Sequence, residues 1–464
     1  MKMKLLTGTL FVLFCWCAGA HAAATASWTT GLNGGKLVRL ENAYLRLDID
    51  PQLGARGAVL IDKKTGKDWM YGQSSREGSG LFMDHFWEQN WPGEFLFTPY
   101  AAEILPTTDG TASACFSIAS TGKWGPVPQP MLTGLQLRRT ITLAADSPVL
   151  HVKVQVTNPT ADGKVMGYWM QNVLWAGGDR EHDCYLRPNY RKVSRVGWDW
   201  KTKAPILGFM ESEFERAPTA GWSAVVDEQQ HAGMAFLMDY GSVMFLYNCL
   251  QNTTLEWQYL QAAIPPGKTW ETAVTAVLFK EMDGLVHVTP EALFNAAYAV
   301  KPEGLDITLQ AARLDQPITS ARLAVTAFKL VSRQEVTLPA VEFKDLTLAP
   351  QSATVRLPGP FTEQIALKVD AHLTLADGTT RDMHFEDFFG GSLGFAGINR
   401  TIDLPPMYPL PAQPKTMRFL KPDTIERLRQ TTARVLVVNG RDCAVWQAEK
   451  AAAALPAEVK TSYL

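Results

Sequence analysis

The chain has 464 residues, of which 46% are hydrophobic and 19% are charged. Its 44 basic and 46 acidic residues are interspersed and give a formal net charge of −2 at pH 7. This balance argues against a polyanionic partner such as nucleic acid. A chain of this length is expected to form two or three domains.

The N-terminus is typical of a secretory signal peptide. A positively charged start is followed by an apolar stretch over 5–18, which is too short to remain in a bilayer as a span. Small residues then predict cleavage after Ala22, so that residues 1–22 are removed. Acylation of Cys15 or Cys17 is the alternative, although a large aromatic residue precedes each cysteine. We therefore expect a periplasmic or secreted protein, with no later segment apolar enough to cross a membrane.

The four cysteines that follow the signal are expected to be buried free thiols. They are too few for a disulfide framework, and their spacing fits no zinc motif. A single disulfide bond is the alternative in an oxidising compartment. We expect neither a bound metal nor a cofactor. The four residues are Cys115, Cys184, Cys249 and Cys443.

Tryptophan is concentrated in the first part of the chain. Twelve of the 14 tryptophans lie between Trp28 and Trp270, which predicts a large aromatic-rich domain that ends near residue 300. Hydrophobic and polar residues alternate over 43–50 and 149–156 with the period of half-buried strands. Residues 27–300 are therefore predicted to form a large antiparallel β-sandwich.

A second β-domain is predicted over 303–387. Residues 365–375 alternate without interruption, and the Asp377-Gly378 turn closes the run. Short alternating strands over this length favour an immunoglobulin-like sandwich, although the Cys-Trp-Cys pattern of antibody domains is missing.

The end of the chain changes class. Residues 388–432 are predicted to be a proline-rich linker, because prolines at 405, 406, 409 and 411 cannot join a sheet interior. Residues 433–464 then predict one strand, a helix over 444–455 and the start of another strand. So short an α/β unit cannot bury a core of its own. Either it docks onto the preceding domains or, as we favour, this chain is the front part of a longer protein.

Three stretches of the first domain follow one another with a familiar spacing. They are an opening hairpin over 40–66, a strand pair over 139–158 and the turn Ile-Pro-Pro-Gly-Lys-Thr-Trp over 264–270. Together they resemble the galactose mutarotase-like proteins, the fold of aldose epimerases and of accessory domains in many carbohydrate enzymes. The resemblance implies a mainly β chain: a large antiparallel supersandwich, then the immunoglobulin-like sandwich, then an incomplete α/β unit. Residues 435–455 resemble the opening of a glutamine-amidotransferase-like domain.

The resemblance also implies an acid–base pair, because these enzymes use a glutamate as base and a histidine as acid across one sugar. Glu256 lies where the family's basic glutamate is expected. A solvent-facing strand glutamate is the alternative interpretation. At the position of the family's histidine the chain has Gln171 or Asn172, and an amide cannot donate a proton as an acid. This departure counts against simple mutarotase activity.

Other side chains could serve the same site. His182 is a candidate replacement for the missing acid, with Arg187 and Tyr190 just beyond it, although a solvated loop histidine is the slightly favoured alternative. Trp257, beside the predicted base, is a candidate sugar contact. We expect no role for the remaining histidines outside residues 84–93.

Residues 84–93 form the densest mixture of aromatic, acidic and amide side chains in the chain. Sugar sites need this mixture, since aromatic faces stack on the C–H face of a pyranose and polar groups bind its hydroxyls. Trp87 and Glu88 are therefore candidate sugar contacts, and His85 is a candidate acid. A metal site formed by Asp84, His85 and Glu88 is a weaker alternative, and so is a loop that only plugs the sandwich edge.

The sequence thus predicts an exported carbohydrate-binding or carbohydrate-active protein with its sugar site on the supersandwich. If it is an enzyme, epimerase-like or lyase-like acid–base chemistry is expected. The alternative is an interaction scaffold whose chemistry lies in a C-terminal α/β domain beyond this chain. A mono- or polysaccharide is the expected partner.

Overall fold

The computed structural model describes residues 23–31, 34–70, 79–89, 91–124, 127–189, 192–207, 212–216, 218–361, 363–390, 436–439 and 460–463. The chain divides into two compact units, Met1–Ile402 and Asp403–Leu464. The predicted signal peptide, most of the linker, the C-terminal helix and Cys443 lie outside the described residues. Cys115, Cys184 and Cys249 are buried and free, as the sequence predicts.

The first part of the chain contains the following strands: β1 Thr25–Thr30, β2 Lys36–Glu41, β3 Leu45–Asp50, β4 Arg56–Asp62, β5 Met83–Phe86, β6 Ala101–Leu105, β7 Ala112–Ala119, β8 Lys123–Trp124, β9 Val127–Pro128, β10 Gln136–Leu143, β11 Val149–Thr157, β12 Lys164–Met166, β13 Tyr168–Val173, β14 Asp183–Asn189, β15 Lys192–Asp199, β16 Ala204–Leu207, β17 Ser212–Glu215, β18 Trp222–Asp227, β19 Ala232–Met238, β20 Val243–Cys249, β21 Thr254–Tyr259, β22 Ala262–Ile264 and β23 Thr269–Lys280.

The later strands are these: β24 His287–Val288, β25 Ala292–Lys301, β26 Gly304–Arg313, β27 Ile318–Lys329, β28 Glu335–Thr337, β29 Val341–Leu346, β30 Gln351–Pro358, β31 Ile365–Leu375, β32 Thr380–Phe389, β33 Leu436–Asn439 and β34 Lys460–Tyr463. Short 3₁₀ turns lie at Ala176–Gly178, Tyr240–Ser242 and Leu250–Asn252. The protein is therefore mainly β, as predicted. No helix in the described part of the chain is long and apolar enough to span a membrane.

Three larger antiparallel sheets form the first sandwich, and β8-β9 and β12-β22 are two-stranded pairs beside them. A ten-stranded sheet has the order β16-β15-β14-β18-β19-β23-β11-β10-β7-β6, a five-stranded sheet has the order β17-β20-β21-β13-β5, and β1–β4 form a four-stranded sheet. Residues from all three sheets share one hydrophobic core. Phe236 of the large sheet packs on Trp257 of the five-stranded sheet, with their ring centroids 5.6 Å apart. The five-stranded sheet therefore has one face on the core and one face free to carry a site.

A charged pair lies inside this core. Arg139 of β10 forms a salt bridge with Asp84 of β5, and neither side chain is exposed. The hydroxyl of Tyr100 donates to the same carboxylate at 2.9 Å, and so does that of Tyr168. Arg139 also donates to backbone carbonyls, including that of Phe82. These partners satisfy a buried charge that would otherwise cost several kcal/mol.

A second sandwich follows the first. The sheet β24-β25-β26-β30 faces a sheet formed by β27, β28, β29, β31 and β32, and a separate hydrophobic core lies between them. Strand β31 and its partner β32 turn at Gly378, which has the positive φ of 83° that a tight turn favours there.

An apolar layer joins the two sandwiches. Trp222, Val226 and Phe279, on the outer face of the ten-stranded sheet, cluster with Leu293 and Leu314 of the second sandwich. The central strands β14, β18 and β19 of the large sheet are therefore covered on both faces. In the C-terminal unit, β33 and β34 pair in parallel.

Candidate functional site

An open cavity of about 550 Å³ lies on the face of the five-stranded sheet that points away from the core. Aromatic and polar side chains make up most of its lining. The lining residues are Ser79, Trp91, Trp169, Gln171, Val173, Phe214, Tyr247, Cys249, Asn252, Thr254, Glu256 and Gln258.

Strand alternation brings the central residues of the cavity together. Successive side chains of a strand point to opposite faces, so Trp169, Gln171 and Val173 of β13 share the cavity face. In the antiparallel registers, Glu256 of β21 lies opposite Gln171 on one side and opposite Tyr247 of β20 on the other. Direct cross-strand neighbours have side chains in contact range. The sheet therefore places a carboxyl group between an amide and a phenol.

Glu256 forms the floor of the cavity and is only 2% exposed. Its Oε2 accepts a hydrogen bond of 2.7 Å from the indole Nε1 of Trp169, and its Oε1 accepts one of 3.1 Å from Nε2 of Gln171. Burial raises the pKa of Glu256 to about 7, against the opposing effect of these hydrogen bonds. Near neutral pH this carboxyl group can therefore either give or take a proton.

His85 lies behind Gln171 and does not line the cavity. Its ring packs beside Trp169 with the centroids 4.7 Å apart, and its Nδ1 lies 3.0 Å from the carbonyl oxygen of Pro92. Burial lowers the pKa of His85 to about 4, so the ring is neutral at physiological pH. Because a carbonyl oxygen can only accept, we assign the ring proton to Nδ1.

Gln171 lies between the two titratable groups, and its Oε1 is 3.0 Å from Nε2 of His85, so that two acceptors face each other when the ring proton is on Nδ1. Its amide nitrogen donates to Glu256, an orientation that suits a carboxylate there. The reversed amide would donate to Nε2 of a neutral His85 and accept from a protonated Glu256. The amide orientation and the charge of Glu256 are therefore coupled.

Aromatic side chains form the walls of the cavity. Trp91 is 50% exposed and Phe214 is 49% exposed, which is unusual for side chains of this size. The ring of Phe214 packs against that of Tyr247 with a centroid distance of 4.5 Å. Trp91 also donates from its indole nitrogen to Oε1 of Gln171 at 3.3 Å. The walls therefore present flat apolar faces to a ligand in the cavity.

The other predicted contacts from the 84–93 segment lie beside the cavity or behind it. Trp87 packs near Phe245 with ring centroids 6.1 Å apart, outside the cavity lining. Glu88 accepts a hydrogen bond of 3.0 Å from the backbone amide of Gly167, which ties it to the strand connection. Asp84 and His85 are consecutive in β5 and point to opposite faces, so they do not share a metal ion.

Asn172 and Trp257 point into the core, because each follows a residue of its strand that faces the cavity and successive side chains point to opposite faces. Asn172 is fully buried and bonds to the backbone of Phe82 and Leu255 at 2.9 and 3.3 Å. Trp257 is fully buried against Phe236. Neither side chain lines the cavity.

The predicted residues of β14 and of the loop before it lie on the ten-stranded sheet. His182 is half exposed, with Nδ1 3.8 Å from Oδ1 of Asp179, and is not part of the cavity lining. Arg187 is buried, and its Nη2 lies 3.9 Å from Oε2 of Glu213. Tyr190 lies outside the described residues. The structure therefore does not bring His182 or Arg187 to Glu256.

Several residues of the cavity were not predicted. Trp91, Trp169, Phe214, Tyr247 and Gln258 all line it. Alternation in β13 could have identified Trp169, because it lies two residues before Gln171 and shares its face. Nothing local in the sequence indicates that the strand carrying Phe214 pairs beside β20.

No family model matches the chain, and no curated protein matches it in sequence. Among solved structures, it is similar to a TPR-domain containing protein from Parabacteroides distasonis, with a TM-score of 0.41 and 14% identity over 57% of this chain and 55% of that one. The chain thus spans about half the length of that protein.

The chain is also similar to a galactose mutarotase-like protein from Clostridium acetobutylicum. The TM-score is 0.40 and the identity 10%, over 56% of this chain and 99% of that one. A galactose mutarotase related enzyme from Lactobacillus acidophilus has a TM-score of 0.37 and 12% identity, over 54% of this chain and 100% of that one. The residues of the cavity, rather than these likenesses, carry the functional proposal.

Proposed function

We propose that this protein binds carbohydrate in the cavity of the five-stranded sheet. The observation that carries the proposal is a buried carboxyl group, Glu256, held by Trp169 and Gln171 at the floor of an aromatic-walled cavity. Aromatic faces stack on the C–H face of a sugar ring, while amide and carboxyl groups bind its hydroxyls. This combination is what a pyranose requires of a site.

The size and the open side of the cavity suit a sugar unit. Its volume of about 550 Å³ falls within the range typical of small-molecule sites. Gln258 and Asn252 add amide groups at the lining, beside the carboxyl group of Glu256. A neutral monosaccharide, or one unit of an oligosaccharide that continues into solvent, is therefore the class of ligand we favour.

Binding is favoured over epimerase-like catalysis by the position of His85. Proton transfer at an anomeric centre needs an acid and a base that both reach the sugar. His85 is neutral and lies behind Gln171, and Tyr247 has its pKa raised to about 12, mainly by burial. Within the described lining, Glu256 is the one group that titrates near neutral pH. Because the pKa of Glu256 lies near neutral pH, acid–base catalysis remains the second candidate function.

Replacing the exposed Trp91 with alanine is expected to weaken sugar binding by about 1–3 kcal/mol, the usual loss for a central aromatic contact. Trp28 is a matched control, because it is 47% exposed but lies on β1, outside the cavity lining. Isothermal titration calorimetry with a panel of neutral mono- and oligosaccharides measures both variants. Equal effects in W91A and W28A, or no binding by the unmodified protein, would contradict the proposal.

The same panel separates binding from catalysis. In a binder, Glu256→Gln keeps most of the affinity, and neither protein accelerates exchange between anomers measured by NMR. Exchange that the unmodified protein accelerates and E256Q abolishes would replace binding with the second candidate. An interaction scaffold for a further α/β domain would bind no sugar at all.

We also propose that the protein is exported and that cleavage follows Ala22. Ala24 is part of the fold, since its backbone amide donates to the carbonyl of Gly110 at 2.8 Å. Cleavage there would leave β1 intact. We propose separately that the second sandwich is an immunoglobulin-like packing partner of the first. N-terminal sequencing of exported protein should begin at Ala23 or within a few residues. Recovery of intact Met1 would refute cleavage.

A further inference from the structure

A group of ionisable side chains lies at one end of the ten-stranded sheet, outside the lining of the sugar cavity. Asp179 and His182 belong to the loop before β14, and Asp227 ends β18. One ligand atom from each lies within 4.8 Å of the others. Such spacing suits atoms that surround one cation at metal–ligand distances of about 2.0–2.2 Å.

Asp183 supplies an independent observation beside this group. It is 7% exposed, and neither of its carboxylate oxygens has a hydrogen-bond partner of good geometry. In the β14–β18 register it lies directly opposite Asp227, so the two side chains share one face of the sheet. An uncompensated buried carboxyl group thus lies next to the cluster.

The hydrogen bonds of the cluster come from neutral amides. Nε2 of Gln230 donates to Oδ2 of Asp179 at 3.1 Å and to Oδ2 of Asp227 at 3.0 Å. Oδ1 of Asp227 accepts from the backbone amides of Gln229 and Gln230. No lysine or arginine within the described ranges forms an ion pair with Asp183 or Asp227. Adjacent carboxylates of this kind repel one another unless a proton or a cation intervenes.

The loop that carries Asp179 and His182 is held in place by stacking. The guanidinium of Arg180 lies 3.6 Å from the ring centroid of Trp200 and 5.0 Å from that of Trp175. The indole nitrogen of Trp200 also donates to the carbonyl of Arg180 at 2.8 Å. These contacts hold the backbone of the loop at Arg180, on either side of which Asp179 and His182 lie.

We propose that Asp179, His182 and Asp227 bind a divalent transition-metal cation next to the buried carboxyl group of Asp183. One imidazole nitrogen and several carboxylate oxygens suit Zn²⁺ or Mn²⁺, whereas Ca²⁺ favours ligand sets made of oxygen alone. The ion would tie the loop before β14 to the end of β18. This site is independent of sugar binding, so neither proposal falls with the other.

The test measures Zn²⁺ and Mn²⁺ binding to the full chain by titration calorimetry and by metal analysis after dialysis. One equivalent of ion is expected, together with a rise in the melting temperature. His182→Asn and Asp227→Asn should each weaken affinity by roughly 100-fold or more, above the losses seen for outer-shell partners. His372→Asn is the matched control, because His372 is also half exposed and paired with an aspartate, Asp382.

Asp183→Asn supplies a second readout that is independent of the exposed ligand. It replaces the buried carboxyl group with an amide that cannot become negatively charged, so metal affinity should fall while the metal-free protein stays folded. Absence of stoichiometric binding, unchanged affinity in H182N and D227N, a loss in H372N as large as in H182N, or a preference for Ca²⁺ would each overturn the proposal. Unchanged metal affinity in D183N would remove Asp183 from it.

Discussion

Replacing Arg139 with methionine is expected to lower the free energy of unfolding by about 3–5 kcal/mol, as happens when one partner of a buried ion pair is removed. The substitution keeps the apolar volume but leaves Asp84 as a buried charge whose remaining donors are the hydroxyls of Tyr100 and Tyr168. It also removes a donor from the Phe82 carbonyl. Urea denaturation followed by tryptophan fluorescence measures the loss.

A surface ion pair provides the control for this prediction. Arg356 binds Asp306 with a distance of 2.5 Å, but its side chain is about half exposed. Arg356→Met should therefore cost much less stability than Arg139→Met, because water and salt screen an exposed pair. The double variant R139M/D84L should recover much of the stability that R139M loses, since no unpaired charge remains. A loss in R139M as small as in R356M would show that the buried pair does not stabilise the core.

Replacing Glu256 with glutamine is expected to change how stability depends on pH. The folded protein holds the proton of Glu256 up to about pH 7, while the unfolded chain releases it near 4.5. The unmodified protein therefore loses stability through this group as the pH rises from 4.5 to 7, by about 3 kcal/mol at 1.36 kcal/mol per pKa unit. E256Q lacks this loss. Its free energy of unfolding, relative to the unmodified protein, should rise over the same interval.

His85 has the opposite effect. Its pKa falls from 6.5 to about 4 on folding, so stability through this group is present above pH 6.5 and is lost as the pH falls through 4. The two contributions offset each other between pH 4.5 and 6.5, and each single variant should expose the slope of the other group. His85→Gln should therefore gain stability, relative to the unmodified protein, towards low pH. Relative curves that stay flat in both variants would contradict the assigned shifts.

The sequence allowed correct prediction wherever one face of a strand is buried. Alternation over 43–50 and 149–156 marks strands that the structure places at β3 and β11. These strands depend on patterns within one stretch of chain, where the period of two fixes the facing of each side chain. Glu256 is implied by the resemblance instead; it lies at the floor of the cavity, and its role as a base stays a prediction.

The pairing of distant strands could not be predicted in the same way. The choice between Gln171 and Asn172 was left open, although only Gln171 shares the face of Trp169. His182 was expected beside Glu256, but β14 lies in the ten-stranded sheet and β21 in the five-stranded one. The sheet to which a strand belongs depends on contacts between residues far apart in sequence, and the hydrophobic pattern within one strand does not indicate these contacts.

The apolar layer between the sandwiches limits how this protein can be dissected. A fragment that ends before β24 would turn Trp222, Val226 and Phe279 from interior residues into a solvent-facing hydrophobic patch. Such patches promote aggregation when nothing covers them. Gene fusions or truncations that aim to isolate the cavity of the five-stranded sheet should therefore keep the chain through Phe389, the end of β32. For the same reason, we expect genetic recombination that keeps the protein folded to move both sandwiches together, because either one alone would expose the shared apolar layer.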